Sequence, residues 1–419
     1  MSARGGERAA AEQESVEEVT PWRRVLISRW ALVSLAALLY WIASHSLRPF
    51  VVVRLDELGA SAQEVGLVAA AYAFVALFLA IPGGRAIDRL GTKRVLYVSL
   101  AAMTALGVAY AAASTILQLL VLQVVNGVVE LFVWLAIQTL ATGAGRGDSL
   151  AKHLSLFSFM WGLGIAVGPT IGGVVYDRLG WSALALTYAG TAALMLLAAI
   201  LAPDRPGLRT RGGRLGRDAW RTAKVPAIRT TLLSSFVVMY VISIKSTFYP
   251  LALQDRGVSV PLIGVLLSIM GIASLAVRPV LPLLTRRLGA GTVMVVGTVV
   301  GVVGISLTPW LLHPVLLVAA ALVTGAGYGS NPPVVMQLLT QHSAEGERGL
   351  VMGLRATAGR LSQVVQPLAF GGLAALAGTA AAFPISGAAL LVAVVLNRRD
   401  VLALRTTPIA PAPRPEGSS

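Results

Sequence analysis

Twelve apolar runs, each long enough to cross a membrane as a helix, constrain the fold of this chain more than any other feature. A helix needs about 20 apolar residues to span a hydrocarbon layer of ~30 Å. The runs are continuously apolar and rich in Ala, Leu, Val and Gly, whereas the strands of a membrane barrel would be short and alternating. The sequence therefore predicts an all-α membrane protein. The predicted spans are 29–53, 64–84, 94–113, 115–138, 152–176, 181–202, 228–251, 260–282, 291–312, 314–340, 348–376 and 379–397.

The composition supports this fold class and excludes several kinds of site. Hydrophobic residues make up 56% of the 419 residues and charged residues 13%, which is more apolar material than one soluble core could bury. The chain has no cysteine, its four histidines are scattered, and its sequence has no phosphate-binding loop of the form GxxxxGK(S/T). Because the spans also lack a Ser/His/Asp set and an acidic pair, we expect no metal, no cofactor and no enzymatic activity.

The formal net charge of +15 raises the question of nucleic acid as a partner. The basic residues lie between the apolar spans, however, where they face lipid headgroups, so we expect a lipid bilayer as the partner and no nucleic acid. If the N-terminus is cytoplasmic, the loops on the other side of the membrane hold only Arg54, Arg178 and Arg256. The excess of positive charge on the first side predicts a multi-pass protein of the cell membrane with both termini in the cytoplasm.

A shift of 198 residues aligns the two halves of the sequence. It places Gly59 on Gly257, Gly66 on Gly264, Gly91 on Gly289, Gly127 on Gly325, Pro169 on Pro367 and Gly173 on Gly371. Matches at one constant offset indicate a duplicated unit. We therefore predict an N-terminal tail (1–27), a six-helix bundle (28–203), a basic cytoplasmic linker (204–227), a second six-helix bundle (228–397) and a C-terminal tail (398–419). Two such repeats are typical of transporters, in which the substrate site lies between the halves.

The connection between the second and third spans contains a recognisable pattern. The segment GGRAIDRLGTKR, which begins at Gly83, resembles the loop between helices 2 and 3 of the major facilitator superfamily. Gly84 and Gly91 would allow tight turns, and Asp88, followed by Arg89, could accept from N–H groups at a helix start or pair with a cation. Such a pair would latch one conformation. The simpler alternative is that these charges only fix the topology.

A second segment, GIAVGPTIGG, begins at Gly164 in the fifth span and resembles a motif of the drug:proton antiporter groups in the same superfamily. Its glycines, Gly164, Gly168, Gly172 and Gly173, create a small-residue face for a neighbouring helix, and Pro169 can bend the span. The resemblance extends over all twelve spans. It implies two pseudo-symmetric six-helix bundles and transport by alternating access.

Glu130 is the only acidic residue that lies well inside a span. It shares a helical stripe of the fourth span with Gln123, Gly127 and Trp134, and Asn126 lies one turn before it. A charged group at this depth needs a partner or an aqueous cavity. Glu130 could exchange protons or form a permanent ion pair with an arginine. The family motif usually has an arginine where this chain has Gln123.

Polar side chains in other spans complete the predicted pathway. Cations that could face Glu130 or an anionic substrate are Arg278, Arg355 and Arg360. Stripes of polar residues are Tyr40, Ser44 and Arg48 in the first span, Tyr240, Ser243 and Thr247 in the seventh, and Ser362 and Gln366 in the eleventh. Arg48 and Lys245 could instead reach the membrane surface by snorkelling, and His45 could titrate or simply hydrogen-bond.

The tenth span contains three glycines and two prolines in the ten residues TGAGYGSNPP, which include Tyr328 and Asn331. This composition predicts an interruption of the helix that serves a ligand or a hinge.

These features together predict a secondary active transporter that moves a small molecule by alternating access. Proton-coupled export of an amphiphilic or anionic solute by a monomer is the favoured prediction, with protons as the coupling ion. A uniporter or a proton-coupled uptake symporter for a small metabolite is the alternative.

Overall fold

The computed structural model describes residues 29–142, 147–201, 225–311, 313–343 and 348–397, and every regular element within these ranges is helical. The helices are α1 (Arg29–Glu57), α2 (Ala62–Leu90), α3 (Thr92–Ala112), α4 (Ile116–Thr142), α5 and α6 (the run Gly147–Leu201), α7 (Pro226–Ser246, continued by Phe248–Gln254), α8 (Val260–Ala276, continued by Arg278–Val280 and Leu281–Leu288), α9 (Ala290–Leu307), α10 (Pro314–Gln341), α11 (Arg348–Ala377) and α12 (Thr379–Leu396). The predicted tails (1–27 and 398–419) and nearly all of the predicted linker (204–227) lie outside the described residues.

All twelve predicted spans are present. Gly180 divides the run Gly147–Leu201 into α5 (147–179) and α6 (181–201), because its φ of 80° is left-handed. Ten described segments are long and apolar enough to cross a membrane, and one of them contains both α5 and α6. The remaining helix, α11, packs against α2 and α7. The chain is therefore an all-α, multi-pass membrane protein with twelve membrane-spanning helices.

The backbone repeats at the offset that the sequence predicts. Left-handed glycines occur in three pairs separated by 198 residues: Gly59 and Gly257 (φ 75° and 74°), Gly91 and Gly289 (90° and 81°), and Gly180 and Gly378 (80° and 84°). Each pair ends equivalent helices in the two halves. The fold thus consists of two pseudo-symmetric six-helix bundles, α1–α6 and α7–α12.

The two bundles touch through a pair of equivalent glycine contacts. A Cβ placed on Gly66 of α2 would meet the carbonyl oxygen of Pro367 in α11, and one placed on Gly264 of α8 would meet the carbonyl oxygen of Pro169 in α5. We call the end of the bundles that carries the α2–α3 turn at Gly91 the basic face and the other end the opposite face. Both contacts lie toward the opposite face, so the bundles are closed together there.

The predicted small-residue face of the fifth span is confirmed as a packing surface. Gly164, Gly168 and Gly172, spaced four residues apart, bring α5 against α1: added Cβ atoms would lie 2.7 Å from the carbonyl oxygen of Leu38 and 2.9 Å from that of Ile42 at the first two positions. Gly173 instead faces α8. The motif therefore joins one bundle internally and also joins it to the other bundle.

The predicted interruption of the tenth span is wrong. α10 runs without a break from Pro314 to Gln341, with Pro332 and Pro333 inside it. The glycines serve packing instead: Gly325 lies against Met270 of α8 and Gly327 against Gly301 of α9. Close contact with neighbouring helices on two sides holds this segment helical despite its composition.

The connection after the second span is only partly as predicted. Gly91 forms the turn between α2 and α3 with a φ of 90°, as expected. Gly84 does not form a turn, because α2 continues as regular helix to Leu90. Arg89 is exposed, whereas the side chain of Asp88 lies outside the described part of the structure, and the latch stays a prediction.

Candidate functional site

A cavity of about 880 Å³ lies between the two bundles, on the side of the closed glycine contacts that leads to the basic face. Residues of α1, α2 and α4 line it from the first bundle, and residues of α7 and α11 from the second. Its polar and aromatic lining residues are Tyr40, Trp41, Arg48, Tyr72, Glu130, Trp134, Ser235, Arg355, Arg360 and Gln363. The predicted residues Tyr40, Arg48, Glu130, Trp134 and Arg360 are thus brought together around one space.

The carboxylate of Glu130 is 2% exposed and is surrounded by hydroxyl groups. Its Oε2 accepts hydrogen bonds from the hydroxyls of Tyr72 (2.6 Å), Ser44 (2.9 Å) and Tyr40 (3.4 Å). Its Oε1 accepts from the hydroxyl of Tyr188 at 3.0 Å. Four helices, α1, α2, α4 and α6, therefore meet at this one side chain.

Local packing explains how these groups reach Glu130. A Cβ on Gly127, one turn before Glu130, would strike the carbonyl oxygen of Tyr72. The missing side chain lets α2 and α4 approach, which brings the Tyr72 hydroxyl to the carboxylate. Asn126 donates to Oε1 of Glu130 at 3.4 Å and accepts from Tyr188 at 2.8 Å.

Arg54 and Glu57, at the end of α1, form an ion pair with a distance of 2.9 Å between Nη1 and Oε2. The permanent ion pair with an arginine is one of the two alternatives for Glu130, and no arginine of the described ranges lies within 4.0 Å of its carboxylate in this conformation. Arg48 approaches the carboxylate only indirectly, because its Cζ lies 3.7 Å above the ring of Tyr72. Arg48 faces the cavity rather than snorkelling to the surface.

A second space of about 480 Å³ continues beyond the Arg48–Tyr72 stack. Arg48, Tyr72 and Gln363 line both spaces, so these three side chains form the partition between them. Polar lining on the far side comes from Gln123, Ser243, Ser246 and Thr247. The predicted residues Gln123 and Ser243 thus lie beyond the partition.

Aromatic side chains form one wall of the main cavity. Trp41 of α1 lies 5.0 Å from Trp134 of α4 and 5.5 Å from Trp161 of α5, measured between ring centroids. The indole nitrogens of Trp41 and Trp161 are buried and have no hydrogen-bond partner. This wall offers flat apolar surface to the cavity.

Several predicted pathway residues line neither space. Asn331 donates to Ser234 (2.7 Å) and Thr298 (3.0 Å) and so ties α10 to α7 and α9. Gln366 is fully buried and accepts from Thr247 at 3.3 Å. Tyr240 packs beside Phe236 with ring centroids 6.3 Å apart, and Tyr328 contacts Lys245. These side chains hold the second bundle together.

Sequence reasoning missed Tyr72 and Tyr188, which supply the two shortest phenolic contacts to Glu130. A signal was present, because a tyrosine hydroxyl in the middle of an apolar span needs a partner when it is buried. Lys245 is 4% exposed, so of its two alternatives the buried one applies and snorkelling does not.

Comparison with known proteins agrees with this architecture. The family model described as Major Facilitator Superfamily matches the chain twice, over residues 33–244 and 231–418. The chain belongs to this superfamily. The first match covers the first bundle and most of α7, and the second begins within α7 and covers the rest of the second bundle. The protein is a transporter in the membrane. Members of this superfamily are transporters rather than enzymes.

Curated relatives include the Multidrug resistance protein MdtG of Escherichia fergusonii, which is 24% identical over 400 residues, or 91% of this chain and 95% of that protein. MdtG of Escherichia coli is 26% identical over 400 residues, or 90% of this chain and 94% of that protein. A solved structure of a variant of the nucleoside transporter NupG superposes with a TM-score of 0.79 at 15% identity, covering 89% of this chain and 100% of that one. The last comparison shows a common fold.

Proposed function

We propose that this superfamily member exports small amphiphilic anions in exchange for protons, with Glu130 as the group that carries the proton. The observation that carries the proposal is the environment of Glu130: a buried carboxyl on the cavity wall, held by hydroxyl groups and without a cationic partner in the described part of the chain.

The hydroxyl environment suits a group that gains and loses a proton. A hydroxyl can donate to a carboxylate, and it can also rotate to accept from a protonated carboxyl. An ion pair with an arginine would favour only the charged form. The same set of contacts therefore accommodates both states of Glu130, as exchange of a proton with each side in turn requires.

The charge and shape of the cavity support an amphiphilic anion as substrate. Three arginines, Arg48, Arg355 and Arg360, line the space against the single carboxyl of Glu130. The tryptophan wall supplies the apolar surface that an amphiphile would cover. Export is supported by the similarity to the relatives named as multidrug resistance proteins and by the motif in α5.

The positive-inside bias supports a cytoplasmic basic face with both termini on that side. In that orientation the present conformation is open inward and closed outward. A monomer suffices for this mechanism, because one chain supplies both bundles.

Flux measurements on the purified protein in liposomes test the proposal. A fluorescent amphiphilic anion such as 8-anilinonaphthalene-1-sulfonate should move out of the compartment facing the basic side faster when a pH gradient is imposed, and faster than a cationic dye of similar size. Glu130→Gln should abolish the response to the gradient. Glu57→Gln, which removes a carboxyl at the end of α1, is the matched control and should retain it. Gradient-independent flux would favour the uniporter alternative, whereas an unchanged response in Glu130→Gln would mean that another group carries the proton.

A further inference from the structure

Lys245, in the last turn of the first segment of α7 (Pro226–Ser246), is buried in an environment that lacks an anion. The side chain is 4% exposed. Its Nζ lies 3.3 Å from the hydroxyl oxygen of Tyr328 in α10 and 5.5 Å from the centroid of the same ring. One tyrosine thus supplies both of these contacts, and the mechanism proposed above does not use Lys245.

The charged and titratable groups around Lys245 are mostly cationic or neutral. His45 of α1 is close enough to both Lys245 and Arg48 for their charges to act on it. Arg278, in the short middle segment of α8, interacts electrostatically with Tyr328. Tyr249, in the second segment of α7 (Phe248–Gln254), is buried and its hydroxyl has no partner.

Carboxylates on the neighbouring elements are engaged elsewhere or lie near the opposite face. Glu57 pairs with Arg54, and Glu130 is held by hydroxyls. Asp56 and Asp255, which interact with each other, flank the turns of the opposite face. None of the described carboxylates lies within 4.0 Å of the Lys245 ammonium group.

Burial without an anion disfavours the charged form of a lysine. Nζ donates to the Tyr328 hydroxyl, and a neutral amine keeps this contact, because it can still donate an N–H or can accept the hydroxyl proton on its lone pair. The first bundle approaches Lys245 through α1, whose His45 is close enough for the charges of the two groups to interact, and the two bundles are closed together toward the opposite face. If that face opened, water would reach the amine and the charged form would be favoured.

We propose that Lys245 is a second proton-binding site, neutral while the opposite face is closed and protonated when that face opens. The amine lone pair takes one proton from water to form an N–H bond, and that bond breaks when the site closes and the proton returns to water. Acidity on the opposite side would therefore stabilise the open conformation. The proposal rests on alternating access as proposed above but not on the role of Glu130.

The first test reads the protonation state of Lys245 directly. The chain contains only four lysines, Lys93, Lys152, Lys224 and Lys245, so NMR of protein labelled with ¹³C at the lysine ε-carbon should give a spectrum that Lys245→Met can assign. We expect the Lys245 signal to move between neutral and charged positions over a pH range in which the other three remain charged. A Lys245 signal that stays charged with them would overturn the proposal.

The second test follows the conformation. The chain is free of cysteine, so spin labels can be placed at Gln63→Cys of α2 and Ser259→Cys before α8, two exposed positions at the opposite face. We expect the distance between the labels to lengthen as the pH falls. Lys245→Met should remove this lengthening, Lys245→Arg should keep the long distance at every pH, and Glu130→Gln should leave the Lys245-dependent change in place.

Other outcomes separate the two proposals. If Lys245→Met keeps the pH-dependent lengthening, or if Lys245→Arg shows the short distance of the parent at high pH, Lys245 is not a conformation-linked proton site. Lys245→Gln serves as the second neutral variant if Lys245→Met does not fold. Both proposals would be supported if Glu130→Gln lost gradient-driven flux while its Lys245 NMR signal still moved between neutral and charged positions as in the parent. If Glu130→Gln kept its flux and the Lys245 signal still moved, only the first proposal would be overturned.

Discussion

At the scale of single residues, the sequence identifies the buried carboxyl that must have polar partners, but it does not identify those partners. Glu130 stands out because a carboxyl inside an apolar span is costly. Its partners Tyr72 and Tyr188 come from helices far away in the sequence, 58 residues from Glu130 in each case. Which of the possible partners, hydroxyls or arginines, lies beside Glu130 depends on how four helices cross, and that cannot be read from spacing within one helix.

The Tyr72–Glu130 hydrogen bond gives a residue-scale prediction. Tyr72→Phe removes the 2.6 Å bond to the carboxyl but keeps the ring on which Arg48 stacks. Because a hydrogen bond to a charged group is worth about 1.5–3 kcal/mol, we expect a loss of unfolding free energy of that order and altered gradient-driven flux. Thermal unfolding and liposome flux measure the two effects.

Tyr97→Phe is the matched control for that variant. Tyr97 donates to the backbone carbonyl of Ala199 at 3.0 Å, away from the cavity, so its loss should cost about 1 kcal/mol and leave flux unchanged. Equal flux in Tyr72→Phe and the parent protein would show that the hydroxyl plays no part in transport.

At the scale of helices, the sequence predicts where elements lie better than it predicts what their glycines do. Length and apolarity define the twelve spans, since every backbone group in a membrane must be satisfied within its own helix. The glycines and prolines of α10 read as a break, yet they form a packing surface. Composition alone cannot separate these outcomes, because a glycine lowers helix stability and also permits the close contact that restores it.

Gly127 gives a prediction at this scale. Gly127→Ala would place a methyl group against the carbonyl oxygen of Tyr72, and backbone cannot move aside as a flexible side chain can. Separating α2 from α4 should cost about 1–3 kcal/mol and should weaken the Tyr72–Glu130 contact, so that both stability and gradient-driven flux fall.

The control for this change is Gly190→Ala in α6, where an added Cβ meets nothing within 4 Å. Alanine favours helix over glycine, so this variant should be more stable by about 0.5–1 kcal/mol with normal flux. If Gly127→Ala behaved like Gly190→Ala in thermal unfolding and flux, the close approach of α2 and α4 would not be what positions Tyr72.

At the scale of the whole molecule, the duplication is visible in the sequence at one offset and reappears in the contacts between the bundles. Gly66 meets Pro367 and Gly371, and Gly264 meets Pro169 and Gly173, each residue displaced by 198 from its equivalent. The sequence shows that these positions correspond. It does not show that they touch across the interface, because equivalence within a repeat says nothing about how two repeats dock.

The symmetry of these contacts leads to a prediction about the conformational equilibrium. Gly66→Val and Gly264→Val each place a branched side chain against a proline carbonyl oxygen at the opposite face, while leaving the interior of each bundle intact. Both variants should therefore disfavour closure of that face, and by similar amounts because the contacts are equivalent. The labels at positions 63 and 259 should report a longer distance in each variant than in the parent.

The control for these two variants is Gly372→Ala, at a position in α11 where an added Cβ meets nothing within 4 Å. It should leave the distance unchanged. A longer distance in only one of the two valine variants would mean that a single helix pair, rather than the two equivalent pairs together, holds the opposite face closed.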